Sequence, residues 1–362
     1  MDMSLDLYTD YLICSTSYTT ATGLSRMTDN AISHDKVTRF LSSKDFKSAD
    51  LWLQAKPLYN SIQSDDGVLI IDDSIEEKPY TDENEVIAWH WDHKYNRSIK
   101  GINFVSLVYE SDKGSAPIGF EPARKDLMVP DKKTGKLKRK ASTSKQQHYR
   151  SLITAAIANN VKFGYVLNDT WFTSVENIIF VRVTCSKHLI AAVKSNRKVA
   201  LSETDKTLGK FVGIDSLELG EGKTVWLEGL GFPIRLVRQV FKNEDGSTGV
   251  LYLISTDLEL TDEQIKTIYK RRWKVETYHK SIKSNASLAK SPGKTPRTQI
   301  NHLFASLCAY IRLESMTKFT GNNHFALKQK IYTEALKTAM RELQKLILQT
   351  VLQTGNGARA PA

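Results

Sequence analysis

Residues 269–283 read YKRRWKVETYHKSIK, six lysines and arginines around a single acid, Glu276. A solvated basic helix gains little from one carboxylate in that position, so the spacing has to explain it. On a helical wheel at ~100° per residue, Arg272, Glu276 and Lys283 fall within about 60° of Tyr269 and form one stripe. Ile268, Val275 and Ile282, each seven residues apart, form a second stripe that seats the helix on a core. The polar stripe borders the apolar one instead of opposing it. Glu276 is therefore expected to be partly buried and close to whatever the core presents.

Upstream, Thr261 and Gln264 form a capping-box pattern, so a long helix is expected from 261 to 283. The core it faces is read from two apolar runs that end in acid, GVLIID (67–72) and KFGYVLND (162–169). Both read as strands, and INFVSLVYE (102–110) and APIGFE (116–121) as further ones. Carboxylates past strand ends are where α/β sheets hold catalytic groups. The doublet Asp72-Asp73 leaves the first acid open between two residues, with Asp72 preferred because the apolar run leads straight into it; the second is Asp169. Together with Glu276 they make a hard-oxygen set for two Mg²⁺ ions, a site for in-line phosphoryl displacement.

The remaining chain fits a nucleic-acid enzyme. Its 362 residues carry 51 Lys+Arg against 40 Asp+Glu, a net charge of +11 and a pI near 9.3, which favours a polyanionic partner. Cys14, Cys185 and Cys308 form no CxxC pair, and no apolar run reaches membrane-spanning length, so a soluble protein of a reducing cytoplasm is expected. Residues 1–60 read as helical. Two short amphipathic segments around a turn at Asp29-Asn30 outline a helix-turn-helix, with Val37, Phe40 and Leu41 inward and Arg39 outward toward a DNA groove. The segment 131–150 holds eight basic residues and one acid, either a solvated loop or a phosphate-tracking arm through Lys138, Arg139 and Lys140. His90, Asp92 and His93 in WHWDHK lack the spacing of a metal motif and read as a strand or turn. Residues 197–258 are strand-dominated, 298–350 mainly helical, and the tail GNGARAPA (355–362) reads as disordered.

Tyr269-x-x-Arg272-x-x-x-Glu276-x(6)-Lys283, with Arg272-Trp273 ahead of Val275-Glu276, resembles the Y-R-E-K signature of IS4-type DDE transposases. VLIIDDSIEEKP and YVLNDTWFTS resemble the family's first- and second-aspartate strands, and the resemblance spans about residues 20–310. It implies an α/β fold with an RNase H-like core, a mixed sheet flanked by helices, formed by 61–196 and 259–315. A β-rich insertion at 197–258 interrupts that core, a helical DNA-binding region at 1–60 precedes it and a helical part at 316–362 follows. It further implies Mg²⁺-dependent cleavage and strand transfer on double-stranded DNA, with Mn²⁺ as a substitute. The enzyme would act in a homodimer holding terminal inverted repeats and target DNA, associated with a prokaryotic nucleoid. Tyr269, Arg272, Lys283 and Trp273 take the phosphate-holding roles, and Trp226 is a candidate for stacking on a displaced base. His279 and Lys280 beside the stripe are further DNA candidates, a capping role for His279 being equally open. The competing reading is a DNA-binding protein that keeps the fold without catalysis.

Overall fold

A computed structural model describes residues 2–92, 95–132, 134–242 and 245–356. The chain opens with four helices, α1 Leu5–Cys14, α2 Ala21–Met27, α3 His34–Ser43 and α4 Ser48–Ile62. The first four strands are β1 Val68–Glu77, β2 Ile87–Asp92, β3 Arg97–Ser111 and β4 Gly114–Pro122. A hairpin of β5 Leu127–Pro130 and β6 Leu137–Lys140 leads to α5 Lys145–Ala158, β7 Tyr165–Asn168, α6 Val175–Ile179 and β8 His188–Val193. Then come β9 Lys198–Ala200, α7 Glu203–Thr207, β10 Val212–Gly213, β11 Lys223–Leu227, β12 Ile234–Lys242 and β13 Thr248–Ser255. Helices α8 Asp262–Lys270, α9 Lys274–Ser284, α10 Pro296–Thr320 and α11 His324–Asn356 complete the described chain.

β1 is the centre of the architecture. Val68, Leu69, Ile70 and Ile71 are all fully buried, as an unbroken apolar run requires when both faces of its strand are covered. On one side β1 pairs antiparallel with β3, whose far edge is shared by β2 and β4; on the other it pairs parallel with β7, and β7 with β8. This antiparallel meander followed by parallel strands, within a mixed sheet flanked by helices, is the RNase H-like arrangement. The strand-rich segment after residue 197 continues the same sheet, because β13 pairs antiparallel with β8 and is followed by β12, β11, β9 and β10. A second, smaller core packs Tyr8, Leu12, Leu24, Ile32 and Val37 against Ala305, Ala309 and Leu313 of α10. Ser33 caps α3, and Arg39 lies exposed on it.

Three local expectations change. β1 does not stop at its acids but runs on to Glu77, because β3 offers ladder partners as far as Gly101. The helix expected over 261–283 starts at its Thr261–Gln264 capping box, but a 3₁₀ turn at Arg271–Trp273 divides it into α8 and α9. The basic segment, expected as a solvated loop or a phosphate-tracking arm, contributes β6 and the start of α5. His93, one member of the WHWDHK trio, and residues 357–362 of the tail lie outside the described residues.

Candidate active site

The parallel register of β1 and β7 assembles the site. Ile71 pairs with Asn168, so the next residues along these neighbouring strands are Asp72 and Asp169. β7 ends at Asn168, which turns Asp169 into a loop where its Oδ1 accepts the amides of Trp171 (3.0 Å) and Phe172 (3.3 Å). Asp72 stays in its strand, and its Oδ1 accepts the amide of Asp73 at 2.9 Å. Burial pushes the Asp72 carboxyl up to about 8; the charges of Asp169 and Asp73 add to this and Arg272 opposes it. Burial also raises Asp169, against the two loop amides that hold it down. Two carboxyls are thus crowded where water solvates them poorly.

The helical stripe closes over them. Tyr269 is buried, its hydroxyl pushed up to about 12 by burial, with the charges of Arg272 and Asp169 both acting on it. The Arg272 guanidinium lies 5.7 Å from the Tyr269 ring centre and 5.1 Å from that of exposed Trp273. Its Nη2 donates to Glu276 Oε1 at 3.1 Å, while its buried Nε has no hydrogen-bond partner. Glu276 is 49% exposed and is held by that arginine. Among the described residues no three or more His, Cys, Asp or Glu side chains are placed to hold a metal ion. Asp72 and Asp169 nevertheless fit a divalent cation: they offer hard oxygens, and a cation would offset both the burial that chiefly raises Asp72 and the repulsion that adds to it. Glu276 binds Arg272 through Oε1 alone.

The other sequence candidates are spread around this centre. Lys283 donates to the carbonyl of Ile75 on β1 at 2.6 Å, just beyond the acids. His279 packs edge-on to Phe104 and is driven down to about 3 by burial, chiefly, and by Lys283, with its Nε2 unpartnered. Lys280 is exposed, 5.3 Å from the Phe325 ring centre. Asp73 is held by Lys145 (2.7 Å) and Asn103 (2.9 Å). Lys138, Arg139 and Lys140 sit on the β5–β6 hairpin, where Lys138 pairs with Asp131 and Arg139 with Glu83. Trp226, half-buried on β11, pairs with Ala200. A groove of about 1000 Å³ opens beside Asp169, between α8–α9 and the β12–β13 hairpin; Tyr269, Arg272 and Trp273 line it, with Phe241 and Leu251 opposite. Phe241 and Lys145 were not legible as site residues. A lysine directly after the capping serine of a Ser-x-x-Gln box was the available clue to the second.

The match to DDE endonuclease and transposase domains indicates an enzyme of the nuclease type. The chain belongs to the DDE transposase family: residues 2–207 match the family described as DDE superfamily endonuclease, and residues 123–312 match the transposase DDE domain. No curated protein sequence matches it. Among solved structures it is similar to the NurA nuclease from Sulfolobus solfataricus at 12% identity and a TM-score of 0.27, over 89% of this chain and 97% of that one. A likeness that distant does not bear on the site. No helix among the described residues is long and apolar enough to cross a membrane.

Proposed function

We propose that this chain is an IS4-type transposase that binds the terminal inverted repeats of its element as a homodimer, cuts the DNA there and joins the freed 3′ end to target DNA. The observation that carries the reading is the register that sets Asp72 beside Asp169 beneath the Tyr269–Arg272–Glu276 stripe. Asp72, Asp169 and Glu276 are the residues that would hold two Mg²⁺ ions. Bound there, the ions supply an activated oxygen nucleophile and charge stabilisation for the leaving 3′ oxygen.

The protein's own groups supply position and charge. Arg272 carries a buried, unpartnered Nε beside the acids, a donor available to a phosphate oxygen once DNA enters. Its Nη2 meanwhile holds Glu276, so one guanidinium would link the phosphate to the third acid. Tyr269 supports the guanidinium from beneath, and Trp273 offers an exposed ring to a base or sugar at the mouth of the groove. Lys283 fixes the end of α9 against β1 and so holds the stripe over the acids. The net charge of +11 supports binding to the DNA backbone.

The test is end cleavage. The full chain is incubated with duplexes carrying the element's terminal repeat and Mg²⁺, next to Asp169→Asn and Glu276→Gln. Cleavage by the wild type and a loss of at least about 10³-fold in each variant is expected. Undiminished cutting by either variant refutes the ligand set, and DNA binding without cutting by the wild type favours the non-catalytic reading.

A further inference from the structure

The acidic doublet on β1 is divided between the two faces of the sheet. Asp72 pairs with Ser106, whose hydroxyl meets Tyr278 of α9 at 3.0 Å, so Asp72 belongs to the face that α9 covers. Asp73 pairs with Val105 and reaches Asn103, two residues along the same strand, on the opposite face. There its Oδ2 accepts both Asn103 Nδ2 and Lys145 Nζ, and the ion pair is well covered, Asp73 and Lys145 being 19% and 25% exposed.

Lys145 is an odd residue for its place. It opens α5 as the first residue after the Ser144 cap, within the Ser144–Gln147 capping box, where the helix macrodipole is positive and disfavours a cation. The same helical turn also grips the other acid's loop. Gln146 Nε2 donates to the Trp171 carbonyl at 3.0 Å, and the Lys145 ammonium lies 5.8 Å from the Trp171 ring centre. One turn on, Tyr149 donates to Asn168 Oδ1 at 2.9 Å, and Asn168 Nδ2 donates to the Asp169 carbonyl at 2.8 Å. The start of α5 therefore touches both the strand carrying Asp72 and the loop carrying Asp169.

We propose that Lys145 is a positioning residue: it claims Asp73 as a counter-ion on the far face of β1, leaving Asp72 as the strand's only free carboxylate, and with Gln146 it fixes the spacing between Asp72 and Asp169. Asp73 is then a support for the site and not one of its metal ligands. This rests on the active-site reading above and adds a division of roles within the doublet.

Two probes test it on the full-length chain: Mn²⁺ alone, titrated by electron paramagnetic resonance, and nicking of supercoiled plasmid in Mn²⁺. Lys145→Met is expected to weaken both Mn²⁺ affinity and nicking by about 10- to 100-fold, the usual cost of losing a group that orients a ligand. Lys145→Arg should recover most of that loss. Asp73→Asn keeps an acceptor for Lys145 and Asn103 and should cost less than about tenfold, well short of Asp72→Asn. The double variant Asp73→Asn/Lys145→Met should do no worse than Lys145→Met, since it removes the unpaired acid along with its partner. Asp73→Asn as damaging as Asp72→Asn, or Lys145→Met within twofold of wild type while Asp72→Asn is inactive, overturns the proposal alone. If Asp72→Asn and Asp169→Asn both leave affinity and nicking intact, the active-site reading fails and takes the proposal with it.

Discussion

Replacing Asp72 by Asn should stabilise the metal-free protein while disabling it. A carboxyl ordinarily near 3.8 sits at about 8 in the folded chain because burial and the charges of Asp169 and Asp73 disfavour its ionised form. The sign follows: the folded state holds that proton up to about pH 8, whereas the unfolded chain releases it near pH 4, so the cost to stability accumulates as pH rises between the two. At about 1.4 kcal/mol per pH unit the ceiling is roughly 6 kcal/mol. Asp72 retains some solvent contact and shares the repulsion with Asp169, so a gain of about 2–3 kcal/mol is the realistic expectation. For a chain of 362 residues that raises the melting temperature by roughly 3–4 °C. Calorimetry in EDTA at pH 8 should show the variant melting higher, with the gain falling below half at pH 5. Millimolar Mg²⁺ should narrow the gap by stabilising only the wild type. An Asp72→Asn protein that melts no higher than wild type at pH 8, or gains as much at pH 5, would refute the account of the acids as a crowded, cation-seeking pair.

Two further outcomes concern the scaffold. His90 and His279 are driven down to about 3 and His302 to about 4, in each case mainly by burial, so all three are neutral in the folded chain. Because their folded values lie below the unfolded 6.5, stability is complete above that pH and should fall between about 6.5 and 4, with a slope of up to roughly 4 kcal/mol per pH unit; chemical denaturation at pH 7, 6 and 5 measures it, and a flat profile contradicts the burial. Gly101→Ala should cost at least about 2 kcal/mol, because its Cβ would lie 2.2 Å from the Glu76 carbonyl across the β1–β3 ladder; unchanged denaturant midpoints would show that the two strands can part there.

The sequence carried the site's chemistry better than its geometry. The apolar runs before Asp72 and Asp169 identified the two central parallel strands, because a strand covered on both faces has to be apolar throughout. The seven-residue spacing of Val275 and Ile282 identified the buried side of α9, and both are fully buried. The extent of β1 beyond Asp72 was hidden, because strand length depends on what a distant partner, here β3, offers to pair with. The fate of Asp73 was hidden for the same reason: Lys145 lies 72 residues away, and no local pattern announces a pairing that the sheet creates. Nor could a wheel reveal that Glu276 rests on Arg272, since spacing reports a shared stripe and leaves open which neighbour the carboxylate takes.

The joint between β8 and β13 carries a consequence for how this chain can be altered. Leu189, Ile190 and Ala191 pair with β7 on one edge of β8, while Tyr252, Leu253 and Ile254 pair with Val193, Ala192 and Ala191 on the other. A shortened chain lacking 198–255 would leave the outer rim of β8 as a bare row of amides and carbonyls only one strand away from Asp169, an open template for the next molecule. The strands that look most dispensable on a linear map therefore cover an edge of the central sheet, and any lineage that trims them has to provide another cover for β8.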